Sequence, residues 1–198
     1  YYGLYGDRIF EDFEDEFLRK NVQRHLTVSL FRPLLWFSRK GRTERAVEYY
    51  NKILFHDATF GDMMQPGRPM IVINASDLAY GVRFSFIQDY FNFLCSDLST
   101  YPVARAVTAS SAVPIVFNPV VMENYPDCGT TPPEWLLAAK KRALESKNLR
   151  LEGLVSGLET YYDKDTRKYA HFVDGGITDN LGLLALFDYI AVAGGVEA

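Results

Sequence analysis

The feature that most constrains the fold is a segment near the end of the 198-residue chain, His171-Phe-Val-Asp-Gly-Gly-Ile-Thr-Asp-Asn-Leu-Gly182. A short apolar strand there delivers Asp174 into a Gly-Gly turn, and the polar residues that follow begin a helix. Strands that feed such loops are typical of α/β proteins, which place their chemical groups at strand ends. Gly175 and Gly176 would let backbone or substrate come close to the carboxylate. The segment therefore predicts an α/β domain with a candidate site at Asp174.

Helices and apolar strands interleave along the rest of the chain. Residues 1–65 are predicted to be mainly helical, and residues 66–198 to hold the sheet and the candidate site. Residues 69–76 form a continuous apolar run, typical of a strand buried on both faces. We therefore expect one α/β domain with a mostly parallel central sheet flanked by helices. Helices are predicted over 7–24, 26–37, 43–54 (with Thr43 as N-cap), 102–112, 133–147, 149–162 and 180–192, and strands over 69–76, 82–86 (with one wetter face) and 169–173.

Composition narrows the classes of function. The net charge of −4 and the pI of about 5.4 give no electrostatic surface for nucleic acid, so none is expected as a partner. Two cysteines are too few for a disulfide scaffold or a cysteine-rich zinc site, and the sequence leaves open whether Cys95 and Cys128 pair. There is no apolar run of about 18 residues, so no transmembrane segment is expected. Because the chain opens without an initiator Met or a signal-peptide pattern, we expect it to be the interior of a longer polypeptide.

Three stretches, in order along the chain, resemble the patatin-like phospholipases, a family of lipid acyl hydrolases. Residues 73–81, Ile-Asn-Ala-Ser-Asp-Leu-Ala-Tyr-Gly, resemble the family's A-T-D-L-x-x-G, with Ser76 in place of the threonine. Residues 104–117, Ala-Arg-Ala-Val-Thr-Ala-Ser-Ser-Ala-Val-Pro-Ile-Val-Phe, are similar to its A-x-x-A-S-x-A-x-P-x-x-F. Residues 172–181 match its D-G-G/A loop. The resemblance covers roughly residues 66–190 and implies the family's three-layer fold with a mostly parallel central sheet.

The resemblance also implies a catalytic mechanism. The mechanism is that of a serine esterase with a Ser–Asp dyad, in which Asp174 is the general base and no histidine takes part. Gly175 and Gly176 are the candidates for the site loop. The implied substrate is a phospholipid or another acyl-ester lipid, with no cofactor and no metal. Similar proteins are peripheral to membranes or belong to the bacterial cell envelope, so peripheral membrane contact is expected.

Two motifs of the family do not occur within residues 1–198. They are the G-G-G-x-R/K turn of the oxyanion hole and the G-x-S-x-G elbow that carries the nucleophile. The nearest serine pattern, Gly-Leu-Val-Ser-Gly at residues 153–157, has the wrong glycine spacing. We therefore expect the serine to lie upstream, the chain to be the C-terminal portion of one catalytic domain, and residues 1–198 alone to be inactive. The alternatives are a non-catalytic lipid- or partner-binding fragment of the same fold, and an unrelated α/β binding domain whose Asp-Gly-Gly is only a turn.

Other polar residues receive structural interpretations. His171 and Asp174 point to opposite faces of a strand, so His171 is interpreted as a strand residue rather than a catalytic partner. Asp77 is expected to stabilise the turn that follows its strand. Ser110 and Ser111 lack the flanking glycines of a nucleophile elbow and are expected to cap or pack their turn. Asp179, directly before the last apolar run, is the predicted cap of the final helix.

Overall fold

The fold is described from a computed structural model, and the described residues are 41–64, 66–67, 70–126, 128 and 131–193. The helices predicted over 7–24 and 26–37 lie outside them. The helices are α1 (Arg42–Tyr50, continued by a π-helical turn, Asn51–Phe55), α2 (Phe60–Met63), α3 (Gln88–Phe91), α4 (Val103–Ser110), α5 (Glu134–Glu145), α6 (Leu149–Glu159), α7 (Gly176–Asp179) and α8 (Leu183–Ala193). The strands are β1 (Asn74–Asp77), β2 (Val82–Ser85), β3 (Val120–Glu123) and β4 (Tyr169–Val173).

The four strands form one sheet in the order β2-β1-β4-β3, and every neighbouring pair is antiparallel. β1 and β2 make a hairpin in which Asn74 pairs with Ser85. Gly81 closes its turn at φ +63°, a conformation that favours glycine. β4 lies between β1 and β3 and runs against both. The prediction of a mostly parallel central sheet is therefore wrong for the described residues, and so is the three-layer patatin-like fold that it implied.

The physical reason is that a sequence pattern locates a strand without giving its direction. Helices between strands suggested parallel crossovers, yet β1 and β2 are joined by a tight turn, which only antiparallel neighbours allow. The predicted strand over 69–76 was also too long. Met70 and Ile71 are exposed, and regular pairing begins only at Asn74. The predicted wetter face of β2 is absent, because Arg83 and Ser85 are both buried.

Most of the predicted helices are confirmed with shifts of a few residues at their ends, and β4 is confirmed at its predicted bounds. The predicted N-cap of α1 is wrong. Gly41 occupies the cap position, and the Thr43 hydroxyl, one residue inside the helix, donates to the carbonyl of Asn118 at 2.6 Å. That bond ties α1 to the segment before β3 instead of closing the helix end.

The core is rich in aromatic residues and combines side chains of the sheet with side chains of α3, α4 and α6, among them Phe91, Ala106 and Leu158. Phe84 on β2 is fully buried, and its ring is 4.5 Å from that of Phe172 on β4, measured between ring centroids. Cys95 and Cys128, whose pairing the sequence left open, form a disulfide. Among the residues that the structure describes, no helix has both the length and the apolarity needed to cross a bilayer.

Candidate functional site

Asp174 is the first residue after β4 and is half-buried. Its main-chain nitrogen donates to the carbonyl of Ala112 at 3.0 Å, and its own carbonyl accepts the nitrogen of Ile177 at 3.2 Å. The same carbonyl accepts a 2.7 Å hydrogen bond from Oγ of Ser76 on β1. Contacts from three separate segments thus fix the backbone of Asp174, so the direction of its side chain is set by the fold.

The three stretches that resemble patatin-like phospholipases meet at this residue. Ser76 belongs to the first stretch, Ala112 to the second and Asp174 to the third. Ser76 and Asp174 are 98 positions apart in the chain. The order of these stretches is visible in the sequence, whereas their contact is not. Their convergence forms a single small polar site at the end of β4.

The two oxygens of the Asp174 carboxylate have different surroundings. Oδ1 accepts a 2.7 Å hydrogen bond from the main-chain nitrogen of Gly176. Within the described part of the chain, no residue donates a hydrogen bond to Oδ2. One oxygen therefore anchors the side chain in a turn, while the other is open to a proton donor. That division is what a general base requires.

Gly175 and Gly176 are both needed for this geometry, as the sequence predicts for a close backbone approach. The nitrogen of Gly175 donates to the carbonyl of Ser110 at 3.0 Å. A Cβ placed on Gly175 would lie only 2.4 Å from the carbonyl oxygen of Asn74 on β1, and one on Gly176 would lie 2.8 Å from Oδ1 of Asn180 and 3.0 Å from Oδ1 of Asp174. The group that approaches Gly175 is therefore the backbone of β1, and the groups that approach Gly176 are the side chains of Asn180 and Asp174.

A hydroxyl pair that sequence reasoning missed supports the turn. Oγ of Ser76 lies 2.8 Å from Oγ1 of Thr178 in α7. Because the single proton of Ser76 is donated to the carbonyl of Asp174, Thr178 is the donor to Ser76. The family pattern of the first stretch also has a hydroxyl residue at this position, but no local signal in the sequence indicates its partners. Ser76 thus links β1, Asp174 and α7.

The other serines and His171 are placed as follows. Ser111 donates from Oγ to the carbonyl of Val107 at 2.9 Å, which confirms that it packs within its own turn. Ser110 is half-buried, and its Oγ would be 3.4 Å from a Cβ on Gly175. Ser156 is exposed on α6, and His171 is exposed on β4. Within the described residues, none of these side chains forms a hydrogen bond with the Asp174 carboxylate.

Asp77 holds the turn after β1, as predicted from the sequence. Its Oδ1 accepts the nitrogen of Ala79 at 3.0 Å, and its Oδ2 accepts the hydroxyl of Tyr161 at 2.8 Å and the guanidinium of Arg167. The Arg167 guanidinium lies 3.6 Å from the Tyr161 ring centroid. Burial, and secondly the Asp77 carboxylate, raise the pKa of Tyr161 well above its ordinary value. Both oxygens of Asp77 are occupied by these partners, so this buried network is structural, and sequence reasoning missed Tyr161 and Arg167.

A second buried ion pair connects α8 to the sheet. Asp188 binds Arg83 through one oxygen and Arg150 through the other. Nε of Arg83 donates to Ser85 at 3.2 Å, and Ser85 donates to the side-chain oxygen of Asn74 at 2.8 Å. Polar contacts therefore run from α8 across β2 to Asn74, the residue whose carbonyl approaches Gly175.

Two exposed apolar residues lie next to the main-chain hydrogen bonds of Asp174. Val113 follows the Ala112 that bonds Asp174, and Ile177 bonds its carbonyl; their side chains are 48% and 58% exposed. We call Val113 and Ile177 the apolar rim. Further exposed apolar residues follow in the chain: Leu181, Leu183, Leu184, Leu186 and Phe187. An open carboxylate beside exposed apolar side chains suits an amphipathic ligand.

Two cavities lie elsewhere in the described structure. One, of about 250 Å³, is lined by residues that include Arg83, Tyr90, Trp135 and Asp188. The other, of about 630 Å³, has the Cys95–Cys128 disulfide in its wall. Asp174 lines neither of them. In the part of the chain that the structure describes, no cluster of histidine, cysteine or carboxylate side chains is arranged to hold a metal ion.

Comparison with known proteins gives no match: no protein family, no curated protein and no solved structure is detectably similar to this chain. The resemblance to patatin-like phospholipases therefore stays a prediction that rests on the three stretches and their residues.

Proposed function

We propose that this chain carries the general base, Asp174, of a serine-dependent lipid acyl hydrolase similar to the patatin-like phospholipases. The nucleophilic serine would come from a segment upstream of residues 1–198. The observation that carries the proposal is the meeting of Ser76, Ala112 and Asp174, one from each stretch of the resemblance, at a carboxylate with one open oxygen. A residue that merely caps its own turn does not need contacts from two distant segments, whereas Asp174 has them from Ser76 and Ala112.

The mechanism follows from the two oxygens of Asp174. The Gly176 nitrogen holds Oδ1, and Oδ2 accepts the proton of the serine hydroxyl as that hydroxyl attacks the ester carbonyl. The protonated carboxyl then gives its proton to the departing alcohol, and an acyl-serine remains. In the second half, Asp174 takes a proton from water as the water oxygen attacks the acyl carbonyl, and it then passes that proton to the serine oxygen as the fatty acid leaves. The chemistry consumes only water, so it needs no cofactor.

The apolar rim supports an acyl lipid as the substrate class. Val113 and Ile177 expose apolar surface at positions adjoining the main-chain hydrogen bonds of Asp174, as a site for a phospholipid or another acyl ester would require. Further exposed apolar residues along α8 favour a peripheral contact with a lipid surface. We propose a location at a membrane surface, as a peripheral protein or in the bacterial cell envelope.

A second candidate function is non-catalytic binding of an acyl lipid or a partner by the same surface. It is favoured by the absence of a G-x-S-x-G elbow from residues 1–198 and by the position of Asp174 outside both cavities. Binding at the apolar rim would then not depend on the charge of Asp174.

The substitution Asp174→Asn in the natural polypeptide separates these functions. Asparagine keeps Oδ1 for the Gly176 nitrogen but cannot take a proton, so ester hydrolysis should fall at least about 100-fold while the fold is retained. The measurement is turnover of a short-chain p-nitrophenyl ester and of phospholipid micelles, together with labelling by a fluorophosphonate. Asp165→Asn, the same chemical change at an exposed turn residue, is the matched control and should keep normal turnover.

The outcomes are distinct. Normal turnover by a folded Asp174→Asn variant would exclude Asp174 as the base. Lack of hydrolysis and of fluorophosphonate labelling in the natural polypeptide, with lipid binding unaffected by Asp174→Asn, would establish the binding function instead.

A further inference from the structure

The disulfide joins two sulfurs with unequal surroundings. Cys95 is half-buried and directly follows a 3₁₀ turn (Asn92–Leu94), whereas Cys128 is exposed. Both line the 630 Å³ cavity, whose size lies within the usual range for small-molecule sites. A small molecule in that cavity would therefore lie against the disulfide, with the sulfur of Cys128 the more accessible of the two.

A lysine distinguishes the two sulfurs electrostatically. Nζ of Lys164 donates to the carbonyl of Phe93 and to the side-chain oxygen of Asn124, both at 2.6 Å. Its third hydrogen is directed at Sγ of Cys95, 3.5 Å away. An ammonium group has three donors, so two bonds fix its position and the third faces the sulfur. Negative charge that forms on Cys95 would meet a fixed cation at once.

The environment of Cys128 is the opposite. Its sulfur lies 3.4 Å from the carbonyl oxygen of Asn92, the negative end of a peptide dipole. That oxygen disfavours a thiolate on Cys128 but can accept the hydrogen of a Cys128 thiol. A thiolate is therefore more stable on Cys95 than on Cys128.

We propose that the Cys95–Cys128 disulfide is a thiol-exchange site, in which a low-molecular-weight thiol adds to Cys128. The incoming thiolate attacks the exposed Sγ of Cys128 and forms a new S–S bond. The Cys95–Cys128 bond breaks, and its electron pair leaves on Cys95 as a thiolate beside Lys164. One disulfide is consumed and one mixed disulfide is formed, so the step needs only the thiol. Exchange favours attack that expels the more stable thiolate, which fixes the direction.

The cavity selects among incoming thiols. Its wall carries the side chains of Asp89, Asp97 and Trp135, and the substituent of a thiol bound to Cys128 would lie among them. Two carboxylates disfavour an anionic thiol, whereas a neutral one meets no such penalty. 2-Mercaptoethanol, which is small and neutral, is the appropriate probe.

The first test locates the adduct on the complete chain. The native protein is treated with 2-mercaptoethanol, free thiols are blocked with N-ethylmaleimide, and peptides are analysed by mass spectrometry. We expect the mercaptoethanol adduct on Cys128 and the maleimide on Cys95, with a preference of about fivefold or more. An adduct mainly on Cys95, equal amounts on both residues, or no exchange under conditions that reduce a model peptide disulfide would each overturn the proposal.

Substitution of the lysine tests the cause. Lys164→Gln keeps donors for Phe93 and Asn124 but removes the charge, so the preference for Cys128 should fall to about twofold or less. Lys168→Gln, the same change at an exposed residue four positions away, is the matched control and should keep the preference. An unchanged preference in a folded Lys164→Gln variant would exclude the role of the ammonium group.

A second measurement does not depend on Lys164 variants. Cys128→Ser leaves Cys95 as the free thiol, and Cys95→Ser leaves Cys128. At neutral pH, iodoacetamide should alkylate the half-buried Cys95 about fivefold faster than the exposed Cys128, because Cys95 carries the larger thiolate fraction. Equal rates, or faster alkylation of Cys128, would contradict the asymmetry.

Discussion

In Asp174 a single carboxylate has one fixed oxygen and one open oxygen, and two glycines make this possible. Gly176 donates the hydrogen bond that fixes Oδ1. Gly175 lets the main chain lie against Asn74 of β1, where a side chain would not fit. The absence of a side chain at Gly175 is therefore as important for the position of the proposed base as the carboxylate itself.

Gly175→Ala should destabilise the protein and displace Asp174. The added Cβ would lie 2.4 Å from a backbone oxygen, which cannot rotate away as a side chain can. β1 and the turn must then separate, which weakens the Gly175–Ser110 hydrogen bond. We expect the free energy of unfolding to fall by about 2 kcal/mol or more, measured by urea denaturation.

The matched control is Gly153→Ala in α6. That glycine is exposed, and a Cβ there meets no atom within 4 Å. Alanine in an exposed helix is more favourable than glycine, so stability should rise by about 0.5–1 kcal/mol. Equal effects of the two substitutions would mean that the contact with Asn74 does not constrain Gly175.

At the scale of the secondary-structure elements, the first turn of α8 is stabilised by a side chain from outside the helix. Oδ1 of Asp179 accepts the nitrogen of Leu184 at 3.2 Å, and Oδ2 accepts that of Ala185 at 2.8 Å. These nitrogens belong to the first turn of α8, where a helix has no internal acceptors. Because Asp179 ends α7, the cap also fixes α8 relative to the Asp174 turn.

Asp179→Ala should therefore loosen α8 and lower the free energy of unfolding by about 1–2 kcal/mol. Asp179→Asn keeps one acceptor and should have an intermediate effect. Hydrogen exchange of the Leu184 and Ala185 amides, together with urea denaturation, measures both results. The exposed Asp165→Ala is the control and should change stability by less than about 0.5 kcal/mol. Unchanged protection of both amides in Asp179→Ala would show that Asp179 is not the cap.

The elements that the sequence predicts well are those with a local signal. β4 has its predicted bounds because an apolar run ends at a glycine turn. Asp179 caps α8 as predicted, although the helix begins at Leu183 rather than at 180. The direction of β4 could not be predicted, because it depends on pairing with β1 and β3. The candidate site likewise has residues that the sequence predicts and a contact that it does not predict. Asp174 and Gly175 follow from the strand–turn pattern, whereas the bond from Ser76, 98 positions away, has no local signal.

At the scale of the whole molecule, the core is held by aromatic rings that include buried phenols. The ring of Phe84 packs against five others: Phe86, Tyr90, Phe91, Tyr161 and Phe172. Burial raises the pKa of Tyr90 from 10.0 to about 12. Arg83 lowers this pKa and Asp188 raises it, both by smaller amounts than burial does. Burial likewise raises the pKa of Tyr101. A folded core therefore resists ionisation of phenols that ionise readily once the chain is unfolded.

Global unfolding should consequently occur in alkali, over the window from pH 10 to about pH 12. A tyrosine whose pKa is raised by folding makes its full contribution to the free energy of unfolding below pH 10. That contribution is lost as the pH rises through the pKa of the tyrosine in the folded state. For Tyr90, a rise in pKa from 10.0 to about 12 corresponds to about 3 kcal/mol.

The native circular dichroism signal should be lost as the tyrosinate absorbance of the buried phenols appears. Tyr90→Phe should move the midpoint to higher pH, and Tyr169→Phe, at an exposed position on β4, should leave it unchanged. Ionisation of every tyrosine near pH 10 without loss of structure would show that these rings are not enclosed by the core.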